Sequence, residues 1–347
     1  MRAAVYEGSG QVAVRDVELP VPGEGEVLVR VASNTICGTD LRIASGAKSK
    51  GVRVPVVLGH ESAGVVERVG RGVDRVRVGD HVGVAPSVVC GTCDMCRRGA
   101  ANLCRTAQVL GHDLDGGLAE HMLVSARAVA GGNLVVAAPE VPFEQVSLAE
   151  PLSCVLHAQR LYRVDVDDVV LVVGGGAIGL MHAQLARVAG ARTVVVSEPV
   201  ASRRALATRL GVDVVVDPVH EDLPAIMADL TDGVGADVVV LCIGVPALVD
   251  QALAGARHRG RVNFFAGFPK DRLSEVDPNR IHYGELTVTG SSNSTVDDHR
   301  AAVRLVERGR VDVGSLVTHS FGLDEIDQAL VAAASPEAVK VVVRPGS

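Results

Sequence analysis

The chain has 347 residues, a hydrophobic share of 48%, an aromatic share of 2% with no Trp, and a net charge of −7. That length suits two domains of ordinary size, and the acidic balance (pI near 5.9) excludes a nucleic-acid partner held mainly through its phosphates. Val, Ala and Leu must fill the cores, as they do in buried parallel strands and Ala-rich helices. The N-terminal stretch Met1-Arg2-Ala3-Ala4-Val5-Tyr6-Glu7 has no apolar signal region. The most apolar stretch, residues 169–186, is interrupted by Gly174, Gly175, Gly176 and Gly179, so no membrane span is expected. Four of the seven cysteines crowd between Cys90 and Cys104, which points to metal binding in a reducing cytoplasm rather than to disulfides.

In chain order, Val12, Val14, Val17 and Leu19 and then residues 26–31 read as short strands separated by Pro20-Val21-Pro22-Gly23, the pattern of an irregular β-rich domain. Cys37 follows a strand, and residues 54–57 lead into Gly59-His60-Glu61. A thiolate, an imidazole and a carboxylate suit zinc, and three protein ligands with an open fourth position form a catalytic arrangement that can lower the pKa of an alcohol. His81 reads as a strand residue at a turn edge, and His121 as a surface packing residue. Cys90, Cys93, Cys96 and Cys104 have the spacing of a closed tetrahedral site, structural zinc or an Fe–S cluster. Glu150, just before Pro151, stands where a helix N-terminal charge would.

From Asp168 an unbroken apolar run extends to residue 173. The turn Gly174-Gly175-Gly176-Ala177-Ile178-Gly179 follows, and residues 180–188 continue as a helix. Bracketed in this way, the G-x-G-x-x-G pattern signals a dinucleotide site, with Gly174, Gly176, Ala177, Ile178 and Gly179 at the pyrophosphate. A strand over 193–196 ends at Ser197-Glu198. Glu198 stands near the distance expected of the acid that binds the ribose hydroxyls, and a carboxylate there repels the extra phosphate of NADP; NAD is therefore expected, with Arg203 the complicating neighbour. Strands over 213–216, 236–241 and 261–265 and helices over 223–230 and 247–256 complete a doubly wound parallel sheet. Ile243 and Gly267 follow strand ends where the nicotinamide half is expected. A helix over 299–308 and a strand over 339–343 close the chain.

The run Gly59-His60-Glu61-Ser62-Ala63-Gly64-Val65, followed by Gly70, Gly72-Val73 and Val78-Gly79-Asp80, resembles the signature of the zinc-containing medium-chain dehydrogenase/reductase family. Gly116-Gly117-Leu118-Ala119-Glu120-His121 resembles its Gly-Gly-Phe-Ala-Glu-Tyr turn. The likeness is greatest to the sorbitol, threonine, galactitol-phosphate and aminocyclitol dehydrogenases. It implies a GroES-like β-rich catalytic domain over 1–155 and 291–347, with a Rossmann NAD domain inserted over 156–290. It implies two zinc ions: a structural one on Cys90, Cys93, Cys96 and Cys104, and a catalytic one on Cys37, His60 and either Glu61 or Glu150. Thr39 would take the hydroxyl proton into a relay. Many relatives place a His where Arg42 stands, so that step is altered here, and Arg42 could instead meet an anionic substrate. His112 borders the substrate region in relatives, although a structural role is the simpler expectation. His282, in the segment Asn279-Arg280-Ile281-His282-Tyr283 before a strand, is a candidate cofactor or substrate contact. The expected activity is NAD-linked oxidation of a secondary alcohol of a polyol or cyclitol by a homodimer or homotetramer. The alternatives are a sugar-phosphate or L-threonine-type dehydrogenase, and a non-catalytic NAD-binding redox sensor.

Overall fold

The computed structural model describes residues 1–346 and divides into two compact units, residues 1–153 with 293–346, and residues 154–292. The main sheet of the first unit runs in the order Leu134–Val136, His81–Val84, Glu61–Val69, Val27–Thr35, Lys340–Arg344, Val317–Gly322, and His121–Val124 also pairs with Val27–Thr35. Neighbours are antiparallel except the last pair. Val27, Val29, Val31, Val66, Val82 and Val84 fill the space on one side of this sheet. β-Branched residues pack well on a pleated surface, so a core almost free of aromatics still closes. The register sets Thr35 opposite both Glu61 and Val342, so the C-terminal strand lies one strand away from Glu61.

The second unit is a six-stranded, wholly parallel sheet: Val169–Val173, Thr193–Ser197, Val214–Val216, Ala236–Leu241, Ala256–Phe264 and Thr287–Gly290. In space the order is third, second, first, fourth, fifth, sixth, the doubly wound dinucleotide-binding topology. Some expected boundaries move. The helix expected over 247–256 is Leu248–Ala254, and the strand expected from 261 starts at Ala256 because Ala256 pairs with Ala236. The run 279–283 lies within a helix, Pro278–Gly284, started by Asp277, which accepts from Asn279 N–H, and by a proline in its first turn. The helix expected from 299 starts at Val296, where Thr295 and Asp298 make a reciprocal capping box. Among the described residues no helix is long and apolar enough to cross a membrane.

Candidate functional site

Cys37 is the N-cap of the short helix Gly38–Ala44. Asp40, in its first turn, is fully buried and accepts from the Cys37 backbone N–H (2.8 Å) through Oδ2. Its other oxygen, Oδ1, lies 3.2 Å from His60 Nδ1. One carboxylate thus fixes the backbone of Cys37 and the ring of His60 and leaves His60 Nε2 for a ligand. A carboxylate behind a ligating imidazole sets its tautomer and raises its basicity. Ligand atoms of Cys37, His60 and Glu61 lie within 4.8 Å of one another. Burial works against a charged His60, yet the Asp40 carboxylate and the Cys37 sulfur outweigh it and hold the imidazole pKa well above its ordinary value. A field that favours a proton at this point favours a divalent cation too, so the donor set fits zinc. Asp40→Asn keeps the shape and removes the charge. It is expected to weaken zinc binding about 10- to 100-fold in a chelator competition, and an unchanged affinity would deny Asp40 this role.

Glu61 is 1% exposed and begins the strand Glu61–Val69. Its Oε2 accepts from Thr35 Oγ1 and from Lys340 Nζ, and Lys340 also donates to the Ile36 carbonyl (3.1 Å). Burial disfavours the Lys340 ammonium, but Glu61 and the Cys37 sulfur outweigh it, so its pKa is raised. Glu150 is 8% exposed, in the first turn of Ala149–Tyr162, and lies outside the group of three. Burial pushes its carboxyl up to about 7, opposed by His60 and Lys340 and reinforced by Glu61 and Asp40. Its electrostatic neighbours are therefore the residues of the site itself.

Two cations stand beside the site, and Cys37, Asp40 and Asp113 are electrostatic neighbours of Lys48. Arg42 Nη2 donates to Thr39 Oγ1 (3.1 Å), and Lys48 Nζ sits 3.3 Å from His112 Nδ1. His112 is 9% exposed, and its ring centroid lies 5.3 Å from that of His60 in an edge contact. Burial first, and then His60 and Lys48, push the His112 pKa down to about 3, so this imidazole is neutral.

The four clustered cysteines meet as a second group. Sγ–Sγ separations are 3.9 Å for Cys90–Cys96, 3.6 Å for Cys93–Cys96, 3.9 Å for Cys93–Cys104 and 3.5 Å for Cys90–Cys104. Four sulfurs about 2.3 Å from a central zinc would stand about 3.8 Å apart, so the shape fits. Backbone N–H groups of Thr92 and Cys93 point at Cys90 Sγ and draw its pKa down to about 5, which favours the ligating thiolate.

In the second unit Gly174 has φ +103° and Gly176 caps the helix Ala177–Ala189. A Cβ on Gly179 would stand 1.8 Å from the Gly174 carbonyl oxygen, so that position admits only glycine. Ala177 and Ile178 form the first turn, where backbone N–H groups are unpaired within the helix. Glu198 follows the strand Thr193–Ser197 and is 3% exposed. Its carboxylate accepts from Gly175 N–H (2.7 Å) and Val200 N–H (2.9 Å), tying the glycine turn to the next strand end. Arg203 lies on the helix Ala201–Arg209 close to Gly176. Gly244 approaches Gly267 backbone to backbone, so the turns bearing Ile243 and Gly267 are neighbours. His282 is exposed and stacks edge-on with Tyr283, whose side chain is exposed too.

Three residues of the first site carry no expectation above. Asp40 had a signal, an acid three residues after Cys37, the spacing of an N-terminal helix cap. Lys340 had one also, a lysine inside the run Val339-Lys340-Val341-Val342-Val343, where a buried charge requires a partner. Lys48 had none, since Ala47-Lys48-Ser49-Lys50 reads as an ordinary polar turn.

The alcohol dehydrogenase GroES-like domain family matches residues 23–132, and the zinc-binding dehydrogenase family matches residues 177–308. An L-threonine 3-dehydrogenase of Pyrococcus furiosus is 35% identical over 94% of this chain and 93% of its own length. A sorbitol dehydrogenase of Halalkalibacterium halodurans is 31% identical over 99% of each chain. The crystal structure of a zinc-binding dehydrogenase of Sinorhizobium meliloti bound to NADP superposes with a TM-score of 0.93 at 34% identity, covering 99% of each chain. These matches extend over nearly the whole molecule, and the chain belongs to the zinc-binding dehydrogenases with an alcohol dehydrogenase GroES-like domain, an oxidoreductase family.

Proposed function

We propose that this chain oxidises, reversibly and with NAD, a secondary alcohol carbon of a small hydroxyl-rich molecule, a polyol or cyclitol. The observation that carries the reading is the convergence of Cys37, His60 and Glu61 with Asp40 bound to the first two. When bound, zinc would supply Lewis acidity toward the substrate hydroxyl and NAD would supply the hydride acceptor. Cys37, His60 and one carboxylate would hold the metal. Glu61 stands within the group, where Lys340 donates to it, and Glu150 has His60, Glu61 and Lys340 as electrostatic neighbours, so these two carboxylates are the candidates for that ligand place. The Thr39 hydroxyl accepts from Arg42 through one lone pair and keeps the other for the substrate hydroxyl. The proton it passes on leaves by another route, because a guanidinium stays charged and accepts nothing.

Glu198 supports NAD over NADP, since a buried carboxylate held by two N–H groups opposes a further phosphate at the ribose. The relative from Pyrococcus furiosus favours a second reading, an amino-alcohol substrate of the L-threonine kind. Zinc-loaded protein given polyols, cyclitols, sugar phosphates and L-threonine, each with NAD and with NADP, separates these. The expected result is NADH formation with one hydroxyl-rich class. Turnover of L-threonine alone would select the second reading, and activity with NADP alone would overturn the role given to Glu198.

A further inference from the structure

The strand Thr193–Ser197 passes into the helix Ala201–Arg209 through Glu198-Pro199-Val200. This turn has little of its own to brace it. Val200, the N-cap of the helix, makes no side-chain capping bond, and Pro199 has no N–H. The bracing comes from one guanidinium. Arg204 Nη1 donates to the Glu198 carbonyl (3.0 Å) and to the Pro199 carbonyl (2.6 Å). Its Nη2 pairs with Asp217 Oδ2 at 2.7 Å, and the two side chains are 23% and 13% exposed. Asp217 follows the next strand, Val214–Val216, and is itself fixed. Its Oδ1 accepts from Val219 N–H (3.0 Å), its Oδ2 lies 3.0 Å from His220 Nδ1, and its own N–H donates to Glu221 Oε2 (2.7 Å). A planar fork with three acceptors on two strand ends holds those ends at one separation.

The clamp acts on Glu198. The Glu198 carboxylate accepts from Gly175 N–H through Oε2 and from Val200 N–H through Oε1, one donor to each oxygen. Each oxygen keeps a lone pair, and the two together match the vicinal hydroxyls of a ribose. Where that carboxylate points depends on the backbone at 198–200, which Arg204 ties to Asp217. Arg203 lies instead beside Gly176. The two neighbouring arginines therefore have different tasks.

We propose that Arg204 is a positioning residue for cofactor choice: by tying Glu198 and Pro199 to Asp217 it holds the Glu198 carboxylate where it binds the ribose diol of NAD and opposes the 2′-phosphate of NADP. This rests on the NAD reading given above and deepens it. Arg204 acts through Glu198, its own guanidinium being engaged by protein acceptors.

The test is calorimetric titration of zinc-loaded protein with NADH, NADPH and AMP, which needs no alcohol substrate. The unmodified chain is expected to bind NADH at least about tenfold more tightly than NADPH, because like charges brought together at the ribose are costly. Arg204→Met is expected to weaken NADH about tenfold, and AMP, which carries the adenosine ribose alone, by the same factor, while NADPH changes by less than about threefold. The preference for NADH then largely disappears. Arg204→Lys keeps the charge without the fork and should recover part of the loss. Asp217→Asn leaves Arg204 in place and should shift the preference in the same direction by a smaller factor. Retained NADPH binding shows that the domain is folded; should Arg204→Met fail to fold, Asp217→Asn carries the same comparison. NADH bound as tightly by both variants as by the unmodified chain would overturn the clamp alone. NADH and NADPH weakened by one common factor would overturn it too, by making Arg204 a prop for the whole domain. An unmodified chain that prefers NADPH, or binds neither cofactor, would instead sink the NAD reading, and the role of Arg204 with it.

Discussion

Cys93→Ser is expected to lower the zinc content from two ions to one per chain and to lower the Tm by about 10 °C or more. The segment between Cys90 and Cys104 has little else to hold it. Its helix Asp94–Arg97 buries none of its residues, and the turn Ala101–Leu103 buries only Asn102. The paired charges of Arg105 and Asp94, at 2.6 and 2.9 Å, are exposed and contribute little. A closed four-thiolate zinc site contributes on the order of 10 kcal/mol, so losing one ligand outweighs every other interaction in the segment. Metal analysis and a melting curve check this directly, with hydrogen exchange across residues 90–104 expected to become fast in the variant. Two zinc ions retained with an unchanged melting curve would show that the four sulfurs are not a metal site.

Lys340→Met tests the buried pair on the C-terminal strand. Lys340 and Glu61 are 7% and 1% exposed, and removing the lysine leaves a buried carboxylate with Thr35 as its remaining side-chain hydrogen-bond partner among the described residues. Breaking a buried pair on one side costs about 3–5 kcal/mol. The loss is expected in full in protein stripped of metal and to be smaller in zinc-loaded protein, where a cation beside Glu61 replaces the missing charge. Urea unfolding with and without zinc reads both numbers. An equal loss in the two states would separate Glu61 from the metal, and Glu150 would then be the carboxylate that matters.

Much of the fold was legible because strong local patterns and tertiary demands agree. The run Val169–Val173, the glycine turn and the helix Ala177–Ala189 obey one steric rule, the close approach of Gly174 and Gly179. The four cysteines are legible because a tetrahedral shell needs little more than four sulfurs at short spacing. Boundaries were less so. Ala256 joins a strand through its partner Ala236, twenty residues earlier in the chain, and nothing local announces that pairing. The support of the first site was the least legible part. Lys340 reaches Glu61 only because Val342 and Glu61 flank Thr35 in one sheet, a relation between segments far apart in sequence. Lys48 acquires its setting from His112, 64 positions away.

The most direct measurement follows the hydride. Sorbitol and sorbitol 6-phosphate deuterated at each secondary carbinol carbon, C2 to C5, and L-threonine deuterated at C3 would be incubated with zinc-loaded protein and NAD, and the reduced cofactor examined for label. The expected result is deuterium on the nicotinamide C4, none lost to solvent, with transfer abolished by removal of zinc or by Cys37→Ser and restored to the unmodified chain by zinc. Protein that binds two zinc ions and NAD yet moves no label from any of these secondary alcohols would contradict the assignment of Cys37, His60 and their carboxylates to alcohol oxidation.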